Sequence, residues 1–540
     1  MPRADLILTG GRVWTGDPCQ PEVEAVAVVG DRIAAAGTTL EIEALGGPET
    51  RRIDLAGRRL LPGFNDAHVH LYHGGESLAC VQLREARGPQ QVRERIAAFA
   101  ATLPRGEWIL NGSWDQESWD PPALPDHRLI SDVTPYHPVC VNRSDGHMVL
   151  VNELAMRLAG VDRGVTDIPG GEIGRDAEGN LTGIFKDAAK ALIERVIPQP
   201  SKERIRSAIL AAQAHTAENG VTSVQDMGVL GAEAADRMST ILSVYEELHA
   251  ANQLRLRISA HIPLAAWRRI AGVNRNNNFL RTGGLKSFSD GSLGSITAWF
   301  WDPYTDVPQT CGLPSDELAD VEAWYAILKE ADRAGLQLVI HAIGDRANTT
   351  VLDFLERLAA ENGARDRRAR IEHAQHLRPQ DLDRFAKLNV IASVQPYHAI
   401  DDGRWAERRV GVERAQTTYA FRSLLDSGAT VVFGSDWWVA PISPILGIYA
   451  AVTRRTLDDA HPNGWVPQQK VTVAEAVHAY TVAAAYASGE EHQKGSIEPG
   501  KLADFVVLSD DVFTVAPETI RDVQVDMTIL GGDVIYSRHH

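Results

Sequence analysis

Residues Leu61–His70 read LPGFNDAHVH and predict the first strand of a barrel. After the Pro62-Gly63 entry, alternation along a strand places His68 and His70 on the same side. An HxH pair alone is a weak indication of a metal site, because two histidines on one strand face are also found solvated or hydrogen-bonded. The pair becomes a stronger indication because other predicted strands of the chain also end in possible metal ligands.

Seven more strand-like runs follow, and helical patterns alternate with them, which is typical of parallel βα units. Most of these runs follow a helix-like segment, several of which end in glycine. The eight runs are 60–70, 221–227, 254–263, 283–292, 336–345, 370–375, 390–397 and 430–437. They predict an α/β fold with a (β/α)8 TIM-type barrel, whose catalytic residues lie at the C-terminal ends of the strands.

The two ends of the chain read differently from the barrel. Residues 1–61 and 488–540 contain short strand-like runs and glycine turns, including a predicted hairpin at GGD, 531–533. We expect both ends to form one composite β-sandwich domain and residues 62–487 to form the barrel. The interval of about 72–200 is too long for a single βα loop, so we expect a lobe inserted after the first barrel strand, above the site.

Five strand-like segments end in residues that can bind a metal. They are His68 with His70, Lys286, His341, His373 and Asp436. Zinc, iron and manganese accept imidazole and carboxylate ligands, and an open coordination position leaves room for water. The set predicts a catalytic divalent-metal site and hence a hydrolase.

Two of these residues have more than one interpretation. Lys286 could be a surface residue, a clamp for a substrate carboxylate, or a lysine carboxylated by carbon dioxide that bridges two metals. Asp436 could bind the metal and also accept a proton from water and pass it to a leaving amine. The alternative for Asp436, a helix cap, is weaker because a loop-like stretch with two tryptophans follows.

The ordered motifs HVH, GLKSFSDGSLGS, HAIGDRAN, RIEHAQ, ASVQPYHA, VVFGSDW and GSIEPGKLADFVVL closely resemble the amidohydrolase superfamily, specifically the amidohydrolase-3 branch that includes N-substituted formamide deformylases. The resemblance covers essentially the whole chain. It implies two divalent metal ions per chain, zinc first, with iron or manganese as alternatives. It also implies that His68 and His70 bind the more buried metal and that Lys286 is a carboxylated bridge. By the same resemblance His341 and His373 bind the second metal, and Asp436 is both ligand and proton shuttle.

Further residues are candidates for contact with substrate, each with a structural alternative. His147 in RSDGH could polarise a carbonyl or belong to a polar turn. Asp290 could orient a ligand, bind substrate or cap a turn, and Arg346 could pair with Asp345 beside His341 or belong to a helix start. The candidate pocket walls, for which packing is the alternative, are Trp114, Trp119, Gln395 and His398.

Composition limits the partners. The formal charge of -17 and the absence of a cluster of five basic residues disfavour nucleic acid and anionic membranes. The first residues lack a secretory apolar segment and no stretch reaches membrane-spanning length, so we expect a cytoplasmic protein. The four cysteines form no CxxC pair. A small-molecule substrate fits best, and a homodimer is an open alternative to the monomer.

The expected reaction is hydrolysis of an amide-type carbon–nitrogen bond, with an N-formyl or N-acyl amine as the substrate class. Within enzymes, the alternative is a mononuclear deaminase, lactonase or esterase in which Lys286 takes no part. A deaminase would need a glutamate near the metal, and strand alternation predicts that Glu372 faces away. From another class, the alternative is a catalytically silent regulatory or binding protein on the same scaffold.

Overall fold

The computed structural model describes residues 3–229, 234–270 and 276–538. The amino-terminal part is built from short strands joined by tight turns. Its elements are β1 (Leu6–Thr9), β2 (Arg12–Trp14), β3 (Glu22–Val23), β4 (Ala25–Val29), β5 (Arg32–Gly37), α1 (Thr39–Glu43), β6 (Arg51–Asp54) and β7 (Arg59–Pro62). Helix α1 begins at a capping box, in which Thr38 and Glu41 satisfy each other's backbone N–H groups.

The first barrel strand leads directly into a separate group of elements. These are β8 (Phe64–Val69), α2 (Leu71–Ser77), α3 (Pro89–Ala100), β9 (Ile109–Trp114), α4 (Arg128–Ser131), β10 (Val139–Arg143), β11 (Met148–Val151), α5 (Glu153–Leu158), β12 (Gly171–Arg175), β13 (Leu181–Asp187), α6 (Ala191–Glu194) and α7 (Lys202–Glu218). Strands β9 to β13 form their own five-stranded sheet in the order β12-β13-β11-β10-β9. This sheet lies within the interval predicted to be an inserted lobe.

The remaining chain alternates strands and helices until its final strands. The elements are β14 (Val221–Asp226), α8 (Ala234–Ala250), β15 (Arg257–Pro263), α9 (Trp267–Ile270), β16 (Leu280–Phe288), α10 (Val321–Arg333), β17 (Gln337–Ala342), α11 (Asp345–Asn362), β18 (Arg370–His373), α12 (Pro379–Lys387), β19 (Ile391–Val394), α13 (Pro396–Asp402), α14 (Ala406–Ala415), α15 (Phe421–Asp426), β20 (Val431–Phe433), α16 (Pro444–Thr453), α17 (Val473–Ala479), α18 (Val482–Ala487), β21 (Phe505–Leu508), β22 (Val525–Leu530) and β23 (Asp533–Ser537).

Eight parallel strands form the central sheet, in the order β20-β19-β18-β17-β16-β15-β14-β8. Its two ends meet: Val69 pairs in parallel with Trp437, and the backbone N–H of Asp436 donates to the carbonyl of His68 at 2.7 Å. All eight strands come from the eight predicted runs. The prediction of a TIM-type barrel is therefore confirmed, and closure brings the first and last strand ends side by side.

Strands from both ends of the chain share one sheet beside the barrel. The six-stranded sheet has the order β23-β22-β21-β7-β2-β3, and a four-stranded sheet has the order β5-β4-β1-β6. Buried residues of both sheets, including Leu8, Val28, Phe505 and Ile529, form one apolar cluster. The two sheets thus pack on each other, as a sandwich requires. The exact domain boundaries at 61 and 488 stay predictions.

No helix within residues 3–229, 234–270 and 276–538 combines the length and apolar composition needed to cross a bilayer.

Candidate metal centre

Three of the predicted ligands converge at the carboxyl end of the barrel. One ligand atom each from His68, His373 and Asp436 lies within 4.8 Å of the other two. Asp436 Oδ1 is 3.4 Å from His68 Nε2 and 3.6 Å from His70 Nε2. The ring centre of His341 is 4.6 Å from that of His373. The five predicted imidazole and carboxylate ligands therefore form one cluster.

A buried ion pair between Glu372 and Arg370 contacts His68. His68 Nδ1 lies 2.6 Å from Glu372 Oε2, and Arg370 Nε lies 2.8 Å from Glu372 Oε1. All three side chains are excluded from solvent. A carboxylate at Nδ1 fixes the imidazole proton there and turns Nε2 toward Asp436.

The expectation that Glu372 faces away from the site was wrong. His373 has φ +73°, so the regular alternation of the strand breaks at the residue after Glu372. Glu372 contacts His68, and the ring of His373 also lies 5.0 Å from the ring of His68. Glu372 contacts the Nδ1 side of that imidazole, while Nε2 is the nitrogen beside Asp436.

His70 and His341 are also each held by a hydrogen bond at one ring nitrogen. His70 Nδ1 donates to the carbonyl of Gly228 at 2.9 Å, and His341 Nε2 donates to the carbonyl of Gly291 at 3.1 Å. Backbone carbonyls accept only, so each of these nitrogens carries the proton and the opposite nitrogen is left as the metal-binding atom. His70 Nε2 is the nitrogen that lies 3.6 Å from Asp436.

Gln395, predicted as a pocket wall, instead orients His373. Its Oε1 accepts a hydrogen bond from His373 Nδ1 at 2.8 Å, and the side chain is fully buried. Gln395 follows β19, so a neighbouring strand end fixes the ring on β18. This leaves His373 Nε2 for the cluster.

Asp436 follows the shortest barrel strand at a close approach of two backbones. Gly434 makes this possible, because a Cβ on it would lie 2.5 Å from the backbone nitrogen of His68. Asp436 itself has φ +60°, a strained conformation for a side chain other than glycine. Burial raises the pKa of its carboxyl well above the usual range, and the Lys286 ammonium opposes the rise.

Lys286 lies near the end of β16, 2% exposed, beside the cluster. Its Nζ is 4.8 Å from the ring centre of Phe288, and it has no hydrogen bond or ion pair with any residue that the structure describes. Burial lowers the pKa of Lys286 to about 8, although Glu372 and Asp436 oppose that change. The neutral amine, which is the form that reacts with carbon dioxide, is thus more populated than in an exposed lysine.

The unsatisfied atoms of the cluster indicate that it can bind a divalent metal. His68 Nε2 and Asp436 Oδ1 are buried and have no hydrogen-bond partner in the part of the chain that the structure describes, although they face each other across 3.4 Å. Two acceptors of this kind repel unless a cation or a proton lies between them. Imidazole and carboxylate donors on rigid strand ends, each imidazole fixed by a further hydrogen bond, suit zinc, iron or manganese.

His147 reaches the cluster from the inserted lobe. Its Nδ1 lies 2.6 Å from Asp187 Oδ1, and its ring centre is 5.3 Å from that of His341. The turn that carries His147 is fixed by Asp145, which accepts from the backbone N–H of His147 and from Arg143 Nη1. The structure thus brings the predicted carbonyl-polarising residue to the site.

Asp290 lies against the ligand His341, as expected for a residue that orients a ligand, whereas Arg346 lies outside the cleft. Asp290 accepts from three backbone N–H groups, those of Trp299, Ile343 and Gly344, and its Oδ1 is 3.3 Å from His341 Nε2. Its role is to hold the loop around His341. Arg346 stacks on Trp299 and on Trp301, and it is not among the described residues that line the cleft.

The tryptophans of the lobe pack rather than line the site. Trp114 is fully buried and donates from Nε1 to the carbonyl of Val141 at 2.9 Å. Trp119 packs against it with ring centres 6.2 Å apart and donates to the carbonyl of Ala86. Both belong to the apolar core of the lobe. The interpretation of Trp114 as a substrate contact is therefore corrected to packing.

His398 does lie in the site. Its Nε2 is 3.9 Å from Asp436 Oδ2 and has no hydrogen bond with any described residue, and its ring is nearly parallel to that of His373. Burial lowers the pKa of His398 to about 3, so the ring is neutral. It is placed to contact both Asp436 and a molecule in the cleft.

A cleft of about 760 Å³ opens over the cluster. Its polar end is lined by Asp115, Arg143, Asp145, Asp401 and Asp402. A second chamber of about 1610 Å³ adjoins it, sharing His147, Lys286 and Phe288 as lining. Apolar side chains line much of that chamber, among them Ile168, Met227, Val229 and Leu313. The site therefore offers one polar and one largely apolar space.

Two residues of this site were not predicted from the sequence. Glu372 was excluded because regular strand alternation was assumed, and this alternation breaks at His373. Asp187 lies 40 residues from His147 along the chain. The acidic residue in GIFKDAA carried no local indication of its partner. Only the antiparallel pairing of β11 with β13, which sets Met148 opposite Lys186, brings the two segments together.

Comparison with known proteins places the chain in a family. The model of the amidohydrolase family matches residues 51–536. The chain is 37% identical over 543 residues to Protein LONG AFTER FAR-RED 3 of Arabidopsis thaliana, covering 99% of this chain and 92% of that protein. It is 28% identical over 553 residues to the N-substituted formamide deformylase of Arthrobacter pascens, covering 99% and 98%.

A solved structure gives the same result. The fold resembles that of an uncharacterized metal-dependent hydrolase of Pyrococcus horikoshii, with a TM-score of 0.75 and 28% identity over 95% of this chain and 99% of that chain. The strand-end motifs lie within the matched residues. This chain therefore belongs to the amidohydrolase family and is a hydrolase that acts on carbon–nitrogen bonds.

Proposed function

We propose that the protein hydrolyses the amide bond of a small N-formyl or N-acyl amine, with Asp436 moving the proton. The observation that carries the proposal is the position of Asp436 Oδ1. It is buried at the cleft, has no hydrogen-bond partner among the described residues and lies 3.4 and 3.6 Å from the Nε2 atoms of His68 and His70. The name of the Arthrobacter relative, an N-substituted formamide deformylase, supports the substrate class.

The residues that would hold the metal are those of the cluster. His68, His70 and Asp436 would hold one ion, and His341 and His373 a second, with Lys286 between them once carboxylated. Zinc is the first choice for these donors, with iron or manganese as alternatives. When bound, such ions lower the pKa of water and polarise a carbonyl.

The chain's own side chains transfer the proton and position the substrate. Asp436 accepts a proton from water and delivers it to the leaving nitrogen, which a buried carboxyl within the cleft can do without moving far. His147, with its Nδ1–H donated to Asp187, presents its other nitrogen toward the substrate carbonyl. His398, whose Nε2 lies 3.9 Å from Asp436 Oδ2, lines the cleft beside that carboxyl.

The deaminase alternative receives little support from the geometry. It would need a second carboxylate at the reacting face, and Glu372 lies instead against His68 Nδ1 with its charge balanced by Arg370. Asp436 is the carboxylate of the described ligand cluster. One carboxylate that both accepts and donates a proton suffices for amide hydrolysis.

Metal analysis joined to a substrate screen tests the proposal. Protein produced with zinc and bicarbonate should contain close to two metals per chain and hydrolyse members of an N-formyl and N-acyl amine panel. Lys286→Ala should lose at least one metal and most of the activity, whereas Lys387→Ala, on an exposed helix face, should match the parent. Full metal content in Lys286→Ala would contradict the bridging role, and no turnover across the panel would contradict the substrate class.

A cytoplasmic location and a small-molecule partner belong to the same proposal. A homodimer is the alternative to the monomer, and light scattering at several protein concentrations distinguishes them. Cell fractionation tests the location.

A further inference from the structure

Four aspartates line the polar end of the catalytic cleft, and three of them already have a cation beside them. Asp115 and Asp145 each lie 2.8 Å from a guanidinium nitrogen of Arg143, and Asp401 forms an ion pair with an arginine three residues along the chain. Asp402 lines the same cleft, but no cation among the described residues lies within ion-pair distance of it. It is the carboxylate of this end that lacks a positive partner there.

Gln375 brings a second free acceptor next to Asp402. Its Nε2 donates to Asp402 Oδ2 at 3.2 Å, and the Tyr419 hydroxyl donates to the same oxygen at 2.6 Å. Asp402 Oδ1 and Gln375 Oε1 accept from no residue that the structure describes. Gln375 is 3% exposed, yet both side chains line the cleft, and both oxygens keep accessible surface there. Two acceptors on hydrogen-bonded side chains are thus open to one space.

The orientation of the Gln375 amide is fixed by its neighbours. His376 Nδ1 lies 2.8 Å from Thr418 Oγ1, whose own hydroxyl donates to a backbone carbonyl at 3.2 Å. His376 Nδ1 therefore carries the ring proton, and His376 Nε2 accepts from Gln375 Nε2 at 3.1 Å. Both protons of the amide nitrogen are then used, so the amide oxygen is the atom left for a ligand.

The charges around Asp402 favour a cation over an anion. Arg143 lines the cleft, but its three nitrogens already donate to other side chains, each at 2.8 Å. Burial raises the pKa of Asp402 to about 8, and the neighbouring Asp401 carboxylate adds to the rise. A positive charge on a bound molecule would oppose both effects, as Arg143 does in part. A primary ammonium, with three donors and no acceptor, complements two free acceptors.

Asp402 lies about one helical turn from the residues that act on the scissile bond. His398 and Asp402 are four residues apart on α13, so their side chains lie on one face, about 6 Å apart along the axis. His398 Nε2 is 3.9 Å from Asp436 Oδ2, which places the leaving nitrogen near one end of this interval. Because an extended chain advances about 3.5 Å per three bonds, the roughly five bonds between the nitrogens of a four-carbon diamine cover about 6 Å.

We propose that the polar end of the cleft binds a primary ammonium, with Asp402 Oδ1 and Gln375 Oε1 as its acceptors. The substrate is then a short diamine that is formylated or acylated on one nitrogen. This inference rests on the proposed function, because it specifies the amine half of that substrate. Hydrolysis joins the water oxygen to the acyl carbon, breaks the carbon–nitrogen bond and protonates the leaving nitrogen, so the products are a carboxylate and the free diamine.

Turnover of three matched formamides by the metal-loaded protein tests the proposal. N-formylputrescine ends in an ammonium, N-formylpentylamine ends in a methyl group of similar size, and N-formylaminobutanol ends in a hydroxyl. The kcat/KM of N-formylputrescine should exceed that of either other compound at least about tenfold, because hydrogen bonds between charged partners are stronger than neutral ones. Equal values for the ammonium and methyl compounds, or a preference for the hydroxyl, would overturn the proposal and leave amide hydrolysis standing.

Calorimetric titration separates this inference from the reaction itself. Putrescine and pentylamine are the amine halves of two of the formamides, and their binding requires no turnover. Putrescine should bind at least about tenfold more tightly than pentylamine. If no formamide is hydrolysed, the proposed function fails, while this ratio still decides whether the ammonium site exists. Equal affinities of the two amines would show that it does not.

Asp402→Asn assigns the ammonium to this end of the cleft. The amide keeps the size of the side chain and can still accept from Tyr419, but it carries no charge, so the putrescine-to-pentylamine ratio should fall close to one. Gln375→Met removes a neutral acceptor and should lower the ratio less. Asp383→Asn, at an exposed position of α12, should keep the parent's ratio. Misfolding lowers both affinities together, so an unchanged ratio in Asp402→Asn would refute the assignment.

Discussion

Glu372 Oε2 lies 2.6 Å from His68 Nδ1, directly behind the imidazole whose other nitrogen faces Asp436. Arg370 balances the glutamate's charge, and its Nη2 also donates to the carbonyl of Ala67 at 2.7 Å and to Ser393 Oγ at 2.9 Å. The metal-facing nitrogen is thus fixed by residues of three barrel strands. Removing the glutamate should change metal binding without touching a ligand.

Glu372→Gln should lower metal affinity about 10- to 100-fold, because the imidazole loses the carboxylate that fixes its orientation and raises its basicity. Competition with a chelator of known affinity measures the change, and Glu518→Gln, at an exposed position of a 3₁₀ helix, is the control. Arg370 would be left with an unpaired buried charge, so the variant Arg370→Met/Glu372→Gln separates metal loss from misfolding. Unchanged metal retention in both variants would show that the pair only stabilises the barrel.

Asp436→Asn removes the proton acceptor while keeping the shape of the side chain. With metal content verified, kcat should fall about 100- to 10,000-fold, the usual contribution of a positioned acid or base. Asp426→Asn, at an exposed helix end, controls for the loss of a carboxylate. Turnover close to that of the parent in metal-loaded Asp436→Asn would refute the assigned role.

Asp187→Asn tests the pair that carries His147 over the cluster. The imidazole loses a carboxylate at Nδ1, so kcat should fall roughly tenfold with little change in KM. Because Asp187 acts through His147, adding Asp187→Asn to His147→Ala should have no further effect. Additive losses would mean that Asp187 acts separately, and Asp176→Asn, in an exposed turn, is the matched control.

Trp114→Phe distinguishes packing from substrate contact. The substitution removes the Nε1 hydrogen bond to Val141 and some buried volume, so it should lower stability by about 1–3 kcal/mol. Thermal inactivation should begin at a lower temperature, while KM stays unchanged. Trp301→Phe, at a 44% exposed position, should alter neither quantity. A raised KM with unchanged thermal stability would restore Trp114 to the substrate site.

The Asp402 carboxyl predicts a pH dependence of stability. Burial raises its pKa from 3.8 to about 8, although the Tyr419 hydroxyl that donates to it opposes the rise. The folded chain holds this proton where the unfolded chain releases it, so the contribution of Asp402 to stability is complete below pH 3.8 and is lost as pH rises to about 8.

Asp402→Asn should therefore gain stability relative to the parent as pH increases from 4 to 8, because the amide stays neutral throughout. Melting temperatures across this range measure the difference. Asp510→Asn, at an exposed position, should show no such trend. An equal difference at every pH would mean that Asp402 is charged in the folded protein.

The sequence was sufficient for the barrel and for most of its strand ends. Period-two alternation and the turns before each strand are local properties, and parallel connectivity places every strand's carboxyl end at the same rim. His68, His70, His341, His373 and Asp436 could therefore be assigned to one site before any contact was known. The same reasoning failed at Glu372, because it assumed regular alternation through His373.

Tertiary structure alone decided which nitrogen of each imidazole faces the cluster, since the fixing groups come from other strands: Glu372 for His68 and Gln395 for His373. It decided that Trp114 packs inside the lobe, because an indole's surroundings depend on the sheet built around it. It paired His147 with Asp187. Local sequence determines what a residue can do chemically; long-range packing determines which partner it meets.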